Sequence, residues 1–319
     1  MLRPLRELLR RGSLTEAYPA EHGTAPPLFR GMPSLDPALC RGHAACASIC
    51  PTGAIAVEPR DAGGWSWRLD RSACVGCGLC AEVCPTGAIA ISPEFELAAR
   101  RREDLVTTVE LVPSGADVPT PADVARSPLG SPHPDPPHAT RKRVPGGDPL
   151  PEGAPTPTEL RRRIAGLFRS SLHVRHLDVG SDNGADWELN ATLNPLYDLQ
   201  RFGIDFVASP RHADMLVVTG AVTRNLLPAL LRTYEATPEP KLVMALGTDA
   251  CSGGITRGSY AALGGVDRHL PVDVYVPGDP PRPPAIVHGF LLALDRREQK
   301  VRASHIRQPA GGRRAERPV

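Results

Sequence analysis

The sequence predicts a chain of two units. An α+β unit built from an internal repeat is followed by an α/β unit whose parallel sheet carries helices on both faces. Three observations carry that prediction. The segment CASICPTGAIAV (46–57) recurs as CAEVCPTGAIAI (80–91). From about residue 111 to 158 the chain is crowded with proline and loses hydrophobic periodicity. Beyond that stretch, helix and strand signals alternate.

The totals bound the function. A chain of 319 residues is long enough for about two domains, and 36 prolines with 30 glycines are too many for compact structure throughout. A formal net charge of +2 with sparse aromatics gives no support to nucleic-acid binding. Basic residues cluster in LRPLRELLRR, ATRKRV and GGRRAERPV, which read as solvated runs or as contacts to an anionic surface. No apolar run reaches bilayer length: Arg224 and Asn225 interrupt LVVTGAVTRNLLPALL, and IVHGFLLAL is too short. No transmembrane segment of its own is therefore expected.

Along the chain, residues 1–30 read as an N-terminal arm. Arg3, Arg6, Arg10 and Arg11 break up its leucines, so a signal peptide is not expected. Leu2, Leu5, Leu8 and Leu9 share one helical face, suited to a membrane surface, a partner subunit or the parent domain.

Residues 31–95 hold seven of the eight cysteines, between positions 40 and 84. With no export signal, metal explains such spacing better than disulfides. The second copy of the repeat is complete: Cys74, Cys77, Cys80 and Cys84 followed by Pro85, a C-x2-C-x2-C-x3-C-P run. Three thiolates on a tight turn suit three irons of a cubane, and the fourth serves another cluster. Zinc is the alternative, but zinc sites seldom use three close cysteines plus a C-P twice over. The first copy, CRGHAACASICP, keeps Cys40, Cys46 and Cys50 but has His43 at the second ligand position.

Across these residues the chain resembles bacterial two-cluster ferredoxins. That resemblance implies crossed ligation: a [4Fe–4S] cluster held by Cys50, Cys74, Cys77 and Cys80, and a second site offering Cys40, Cys46, Cys84 and His43. The second site is open to three outcomes. His43 ligates a [4Fe–4S] cluster, the fourth iron is missing and the cluster is [3Fe–4S], or the site is empty. ELLRRGSLTEAYP and LFRGMPSLDPALC are similar to the N-terminal arm of the ferredoxin-like subunit of group 4 membrane-bound [NiFe] hydrogenases and formate hydrogenlyases.

Residues 96–158 read as an extension and a Pro-rich linker with polyproline character, tethering two domains that could exist separately. His133 and His138 within it read as exposed residues without a metal role.

In residues 159–296, TELRRRIAGLFRSS is helical, HVRHLDV a strand, and ELNATLNPLYDLQRFG a helix. DFVAS and DMLVVTG are strands, TRNLLPALLRTYEAT an amphipathic helix, and KLVMALG a buried strand. VDVYVPG precedes a last helix, PPAIVHGFLLALDRR, and residues 297–319 form a basic tail. Functional loops of such sheets leave the carboxyl ends of strands. VGSDNGADWE, GTDACSGG and PGDPPRP fit that description.

RFGIDFVASPRHADMLVVTGAVTRNLLPALLRTYEATPEPKLVMALG and PVDVYVPGDPPRPPAIVHGFLLAL closely resemble the small, cluster-bearing subunit shared by group 4 [NiFe] hydrogenases and respiratory complex I. The resemblance implies a flavodoxin-like, doubly wound fold that docks a large catalytic or quinone-binding subunit. In that family the three loops supply four cysteines to one [4Fe–4S] cluster. Carried over, those places fall on Asp182, Ala185, Asp249 and Asp279, none of them cysteine. Cys251 is the only thiol in this unit, so no cluster is expected there. Converging carboxylates raise one another's pKa unless a cation sits among them. The expected companions of Asp182, Asp249 and Asp279 are arginines, Arg211 and Arg282 being candidates. A hard metal ion is the alternative. Glu188 matches a family glutamate that faces the large subunit's metal centre.

The expectation is an iron–sulfur electron-transfer subunit, not itself catalytic, of a membrane-associated hydrogenase or NADH:quinone oxidoreductase-like complex. It would sit peripherally on the cytoplasmic face of the cell membrane, through a large subunit and membrane subunits. The alternatives are a docking or assembly subunit with a non-redox C-terminal domain, and a carboxylate-rich metal-binding module.

Overall fold

The computed structural model describes residues 14–21, 25–26, 29–60, 63–111, 156–168 and 171–307, with side chains to residue 295. The expected amphipathic helix over residues 1–11, most of the Pro-rich linker with His133 and His138, and the side chains of the basic tail lie outside those residues.

The N-terminal unit is built on the repeat. β1 (Pro33–Leu35) pairs antiparallel with β4 (Ile89–Ile91). β2 (Ile55–Pro59) pairs with β3 (Trp65–Asp70). Each CPTGA segment leads from a short helix into a strand: α1 (Ala45–Ile49) precedes β2, and α2 (Leu79–Glu82) precedes β4. Residues 106–111, expected as part of the extension, instead form β5 (Val106–Leu111), which pairs along the whole of β3. Its TTVE core alternates weakly, so only the β3 edge reveals it as a strand.

The C-terminal unit is a parallel sheet flanked by helices. The strands are β6 (Leu172–Asp178), β7 (Ile204–Phe206), β8 (Met215–Thr219), β9 (Leu242–Leu246) and β10 (Val274–Val276). Their order is β7-β6-β8-β9-β10, all neighbours parallel. That is the flavodoxin-like order, and its switch point lies between β6 and β8. β8 and β9 are buried at every position, as a sheet covered on both faces requires. Met215, Val217, Leu242 and Met244 face one core with Ile286 and Phe290 of the last helix (Pro283–Arg307). Leu216, Val218, Val243 and Ala245 face the other with Leu230 of α5 (Leu227–Ala236). α3 (Pro157–Phe168) places Leu160 and Ile164 in the first core.

The stretch 188–203, expected as one helix, divides. α4 (Gly184–Ala191) stops, and a short 3-10 turn (Leu199–Phe202) follows. Asn194 Oδ1 accepts hydrogen bonds from the backbone N–H of Leu196 and Tyr197 at 2.9 and 3.1 Å. This Asx turn and Pro195 break the helix between them.

The two units are docked. Ala99 forms an antiparallel bridge to Tyr275 on the edge strand β10. Tyr18, Phe95 and Ala98 enter the first core of the C-terminal unit, and Ala99 and Leu105 enter the second. Arg102 reaches both Asp267 (3.0 Å) and Asp70 (3.8 Å), while Arg100 pairs with Asp295 (2.8 Å). The unit boundary expected at residue 95 thus falls in a segment that both units share. No helix among the described residues is long and apolar enough to cross a membrane.

Candidate functional site

The repeat places its cysteines by the same local chemistry twice. Cys50 Sγ lies 3.7 Å from Thr52 Oγ1, and Cys84 Sγ lies 3.7 Å from Thr86 Oγ1. The backbone N–H of Ala88 donates to Cys84 Sγ at 3.2 Å. Backbone N–H groups of Ile55, Thr52 and Ala54 turn toward Cys50, and although burial pushes its thiol pKa up, those donors bring it below the ordinary value. The Cys50 sulfur therefore sits among donors that favour thiolate, the form that binds iron.

The fold brings the cysteines together across the repeat. Cys50 from the first copy lines one cavity with Cys74, Cys77 and Cys80 from the second. Burial pushes the thiol of Cys74 up to about 11, and that of Cys80 up to about 12 with the neighbouring thiols adding to it. On the other side, burial raises Cys40, and pushes Cys46 up to about 11; Cys84 is close enough to both to add to the rise. The first grouping joins Cys50 to cysteines of the second copy, and the second joins Cys84 to cysteines of the first. Neutral thiols crowded at such values release their protons when metal binds. His43 is partly buried, next to Ala44 in the left-handed region, and its imidazole makes no hydrogen bond or ion pair among the described residues.

At the carboxyl ends of the parallel strands three loops pack together. After β6, Gly180 stands against the loop after β8. A Cβ at Gly220 would lie 2.2 Å from the Ser181 nitrogen, so both loops approach at a glycine with positive φ. Asp186 anchors the first loop from beneath. It accepts from Thr219 Oγ1 at 2.8 Å, pairs with His176 Nε2 at 3.0 Å and takes a short hydrogen bond from Ser181 Oγ. A Cβ at Gly247 would lie 3.1 Å from that of Ala185, and Thr248 N–H donates to Gly278 O at 2.9 Å. The positions 182, 185, 249 and 279 thus converge, as the sequence implies.

The carboxylates there carry an electrostatic penalty. Burial pushes Asp249 up to about 6, with the charges of Asp279 and Asp182 adding to it. Burial and Asp182 also raise Asp279, opposed by Arg30. Asp182 Oδ1 accepts the Gly184 N–H at 2.8 Å. Asp249 leans over Gly254, where a Cβ would lie 1.9 Å from its Oδ1. Among the described residues neither Arg211 nor Arg282 forms a salt bridge to these aspartates, and the charge of Arg30 opposes the rise at Asp279. Arg282 stacks over Phe29 and Phe95 and lies beside Tyr197 and Glu188. No salt bridge to the three aspartates occurs among the described residues, and there no three His, Cys, Asp or Glu side chains close on one metal-ion position. Cys251 is fully buried and points at Ala245 O, 3.5 Å away. Burial raises the pKa of Glu188, opposed by Arg282.

The two sites touch. Thr248 Oγ1 donates to the backbone carbonyl of Cys74 at 3.0 Å and lies 3.3 Å from Gly278 N. The charge of Asp279 reaches the Cys74 thiol. Arg257 Nη2 donates to Thr52 O at 2.8 Å, tying the loop after Cys50 to the same unit. Sequence reasoning missed Thr248, Arg30 and Arg257. Thr52 and Thr86 were visible in the repeated PTGA, whose threonine follows each cysteine by two residues.

Residues 183–293 match the family described as NADH ubiquinone oxidoreductase, 20 Kd subunit, and residues 39–88 match the 4Fe-4S dicluster domain. The chain is 46% identical over 146 residues to a probable membrane-bound hydrogenase subunit, mbhJ, of Pyrococcus furiosus, covering 45% of this chain and 87% of that one. It is 44% identical over 158 residues to formate hydrogenlyase subunit 7 of Escherichia coli K12, covering 47% and 62%. It is 50% identical over 109 residues to an NADH-quinone oxidoreductase subunit of Citrifermentans bemidjiense, covering 34% and 64%. The chain spans less than two thirds of the last two relatives.

Proposed function

Because the chain belongs to the NADH ubiquinone oxidoreductase 20 Kd subunit family and carries a 4Fe-4S dicluster domain, we propose that it is an iron–sulfur electron-transfer subunit of a membrane-bound hydrogenase or complex I-like assembly whose C-terminal cluster site has been lost. The observation that carries this reading is the meeting of the two sites. The cavity lined by Cys50, Cys74, Cys77 and Cys80 abuts, through Cys74, the loops where the family places its own cluster.

The four cysteines of that cavity would hold a [4Fe–4S] cluster. Cys40, Cys46 and Cys84, with or without His43, would hold a second cluster of four or three irons. When bound, such clusters take up and release single electrons. The chain's own residues do the rest. Thr52, Ile55 and Ala54 present donors to the Cys50 sulfur. Thr248 and Arg257 fix the backbone of the cysteine loops against the C-terminal unit. Asp182, Ala185, Asp249 and Asp279 do not fit a cluster: three hard carboxylates and a methyl group replace soft thiolates, and the remaining thiol points into the core.

The C-terminal unit would then serve as the docking surface for a large subunit. Trp187 is 75% exposed beside Glu188, with Leu193 and Leu196 exposed nearby, an apolar patch of the kind that marks an interface. The assembly would hold the chain peripherally at the cytoplasmic face of the membrane. A divalent cation among the aspartates is the competing reading. Under the main reading, magnesium or calcium raises the melting temperature by less than about two degrees; a large, saturable rise would favour the cation. The test of the main reading is purification of tagged chain with its native partners, followed by sensitivity of the complex to Trp187→Ala. A stoichiometric large subunit that Trp187→Ala releases is expected. A chain that copurifies with none would overturn it.

A further inference from the structure

Trp67 lies on β3, the central strand of its sheet, paired with Val57 on one side and Val109 on the other. Its side chain is 2% exposed and belongs to the same apolar cluster as Cys40, Cys46 and Cys84. The indole nitrogen is buried and has no hydrogen-bond partner among the described residues. Buried tryptophan N–H groups usually find a partner, and leaving one unmade costs the desolvation of that donor. Among the polar groups of that cluster is the Cys46 sulfur, whose thiol the indole holds down against the rise from burial, although no hydrogen bond between them is formed. A thiol is a weak acceptor and a thiolate a stronger one. The orphaned donor is therefore satisfied when Cys46 carries charge, as an iron ligand does.

We infer that the Trp67 Nε1–H donates a hydrogen bond to the Cys46 sulfur when that cysteine ligates iron, and so sets the potential of the cluster held by Cys40, Cys46 and Cys84 apart from that of its neighbour. A hydrogen bond to a ligand sulfur stabilises the more negative, reduced state and raises the reduction potential. Cys80 is the counterpart of Cys46 in the second copy, and there burial and the neighbouring thiols are the leading influences on the sulfur. The two sites thus differ at residue 43, where one has histidine in place of cysteine, and at Cys46, which has an indole beside it. Trp67 is a positioning and tuning residue, not a ligand.

The inference rests on the reading that this site holds a cluster, and the test separates the two. In an anaerobic, EPR-monitored redox titration of the full chain, Trp67→Phe keeps the ring and removes the donor. The midpoint of the Cys40–Cys46–Cys84 cluster is expected to move to more negative potential, with the other cluster unmoved. Two clusters with unmoved midpoints would overturn the inference alone. A wild-type chain with a single cluster would overturn the cluster reading and the inference with it. Should Trp67→Phe fail to load iron, the Trp65→Phe chain carrying 15N-indole tryptophan decides by pulsed EPR. A nitrogen coupling to the reduced cluster is expected, since the other remaining tryptophan, Trp187, is 75% exposed; no coupling would overturn the inference.

Discussion

Asp249 is a carboxylate half-buried beside two others, Asp182 and Asp279. Its folded pKa of about 6 stands above the ordinary 3.8, so the fold penalises the ionised form. The penalty is absent below about pH 4 and complete above about pH 6. A shift of about two units is worth roughly 3 kcal/mol at most, and solvent at a partly exposed site reduces that to about 1 kcal/mol. Asp249→Asn should therefore be more stable than wild type by about 1 kcal/mol at pH 7.5, in urea unfolding, with the gap closing toward pH 5. A gap of the same size at both values would show that the charge is not its source. His43→Cys should give a four-thiolate site with a lower midpoint potential than the wild-type site, since thiolate is the more electron-rich ligand. An unchanged EPR spectrum and potential would place residue 43 away from iron. The cysteines proposed as ligands stand out in the sequence because C-x2-C-x2-C-x3-C spacing is local. Arg30, Thr248 and Trp67 were not, because each matters through a contact with a distant segment.

The strands and helices of the C-terminal unit were legible because buried parallel strands and amphipathic helices have distinct periods. The failures have local causes. Asn194 and Pro195 divide the expected helix after Ala191, a turn hidden inside otherwise helical sequence. β5 was absorbed into the extension because its pairing partner, β3, lies more than thirty residues earlier. The short helix Thr248–Ser252 is one of the elements on which the two units meet. Its first residue is buried and ties Cys74 O to Gly278. Thr248→Val keeps the shape and leaves the Cys74 carbonyl and the Gly278 N–H without that partner. It should cost about 1–2 kcal/mol of unfolding free energy with the secondary structure by circular dichroism unchanged. A cost near zero would mean that the contact does not hold the cysteine loop.

The assembled molecule differs from two domains on a string. The prolines lead to the expectation of a tether, but the docking of the two units was not legible, since nothing local announces that Ala99 will cover the edge of a sheet. Shared cores and the Arg102 bridge between Asp70 and Asp267 predict one cooperative unfolding transition. Arg102→Ala should lower its midpoint by an amount equivalent to about 2 kcal/mol, because Asp267 is left partly buried without its cation. Two separate transitions in the wild type would contradict the docked arrangement. Docking also brings the complete four-cysteine site to the place where the C-terminal unit has none, and the proposed function stands on that arrangement. Iron and acid-labile sulfide, measured per chain on anaerobically purified protein, test it most directly. About seven or eight irons are expected, the content of the N-terminal unit alone; about twelve would mean that the C-terminal unit still holds a cluster, and would contradict the loss of its site.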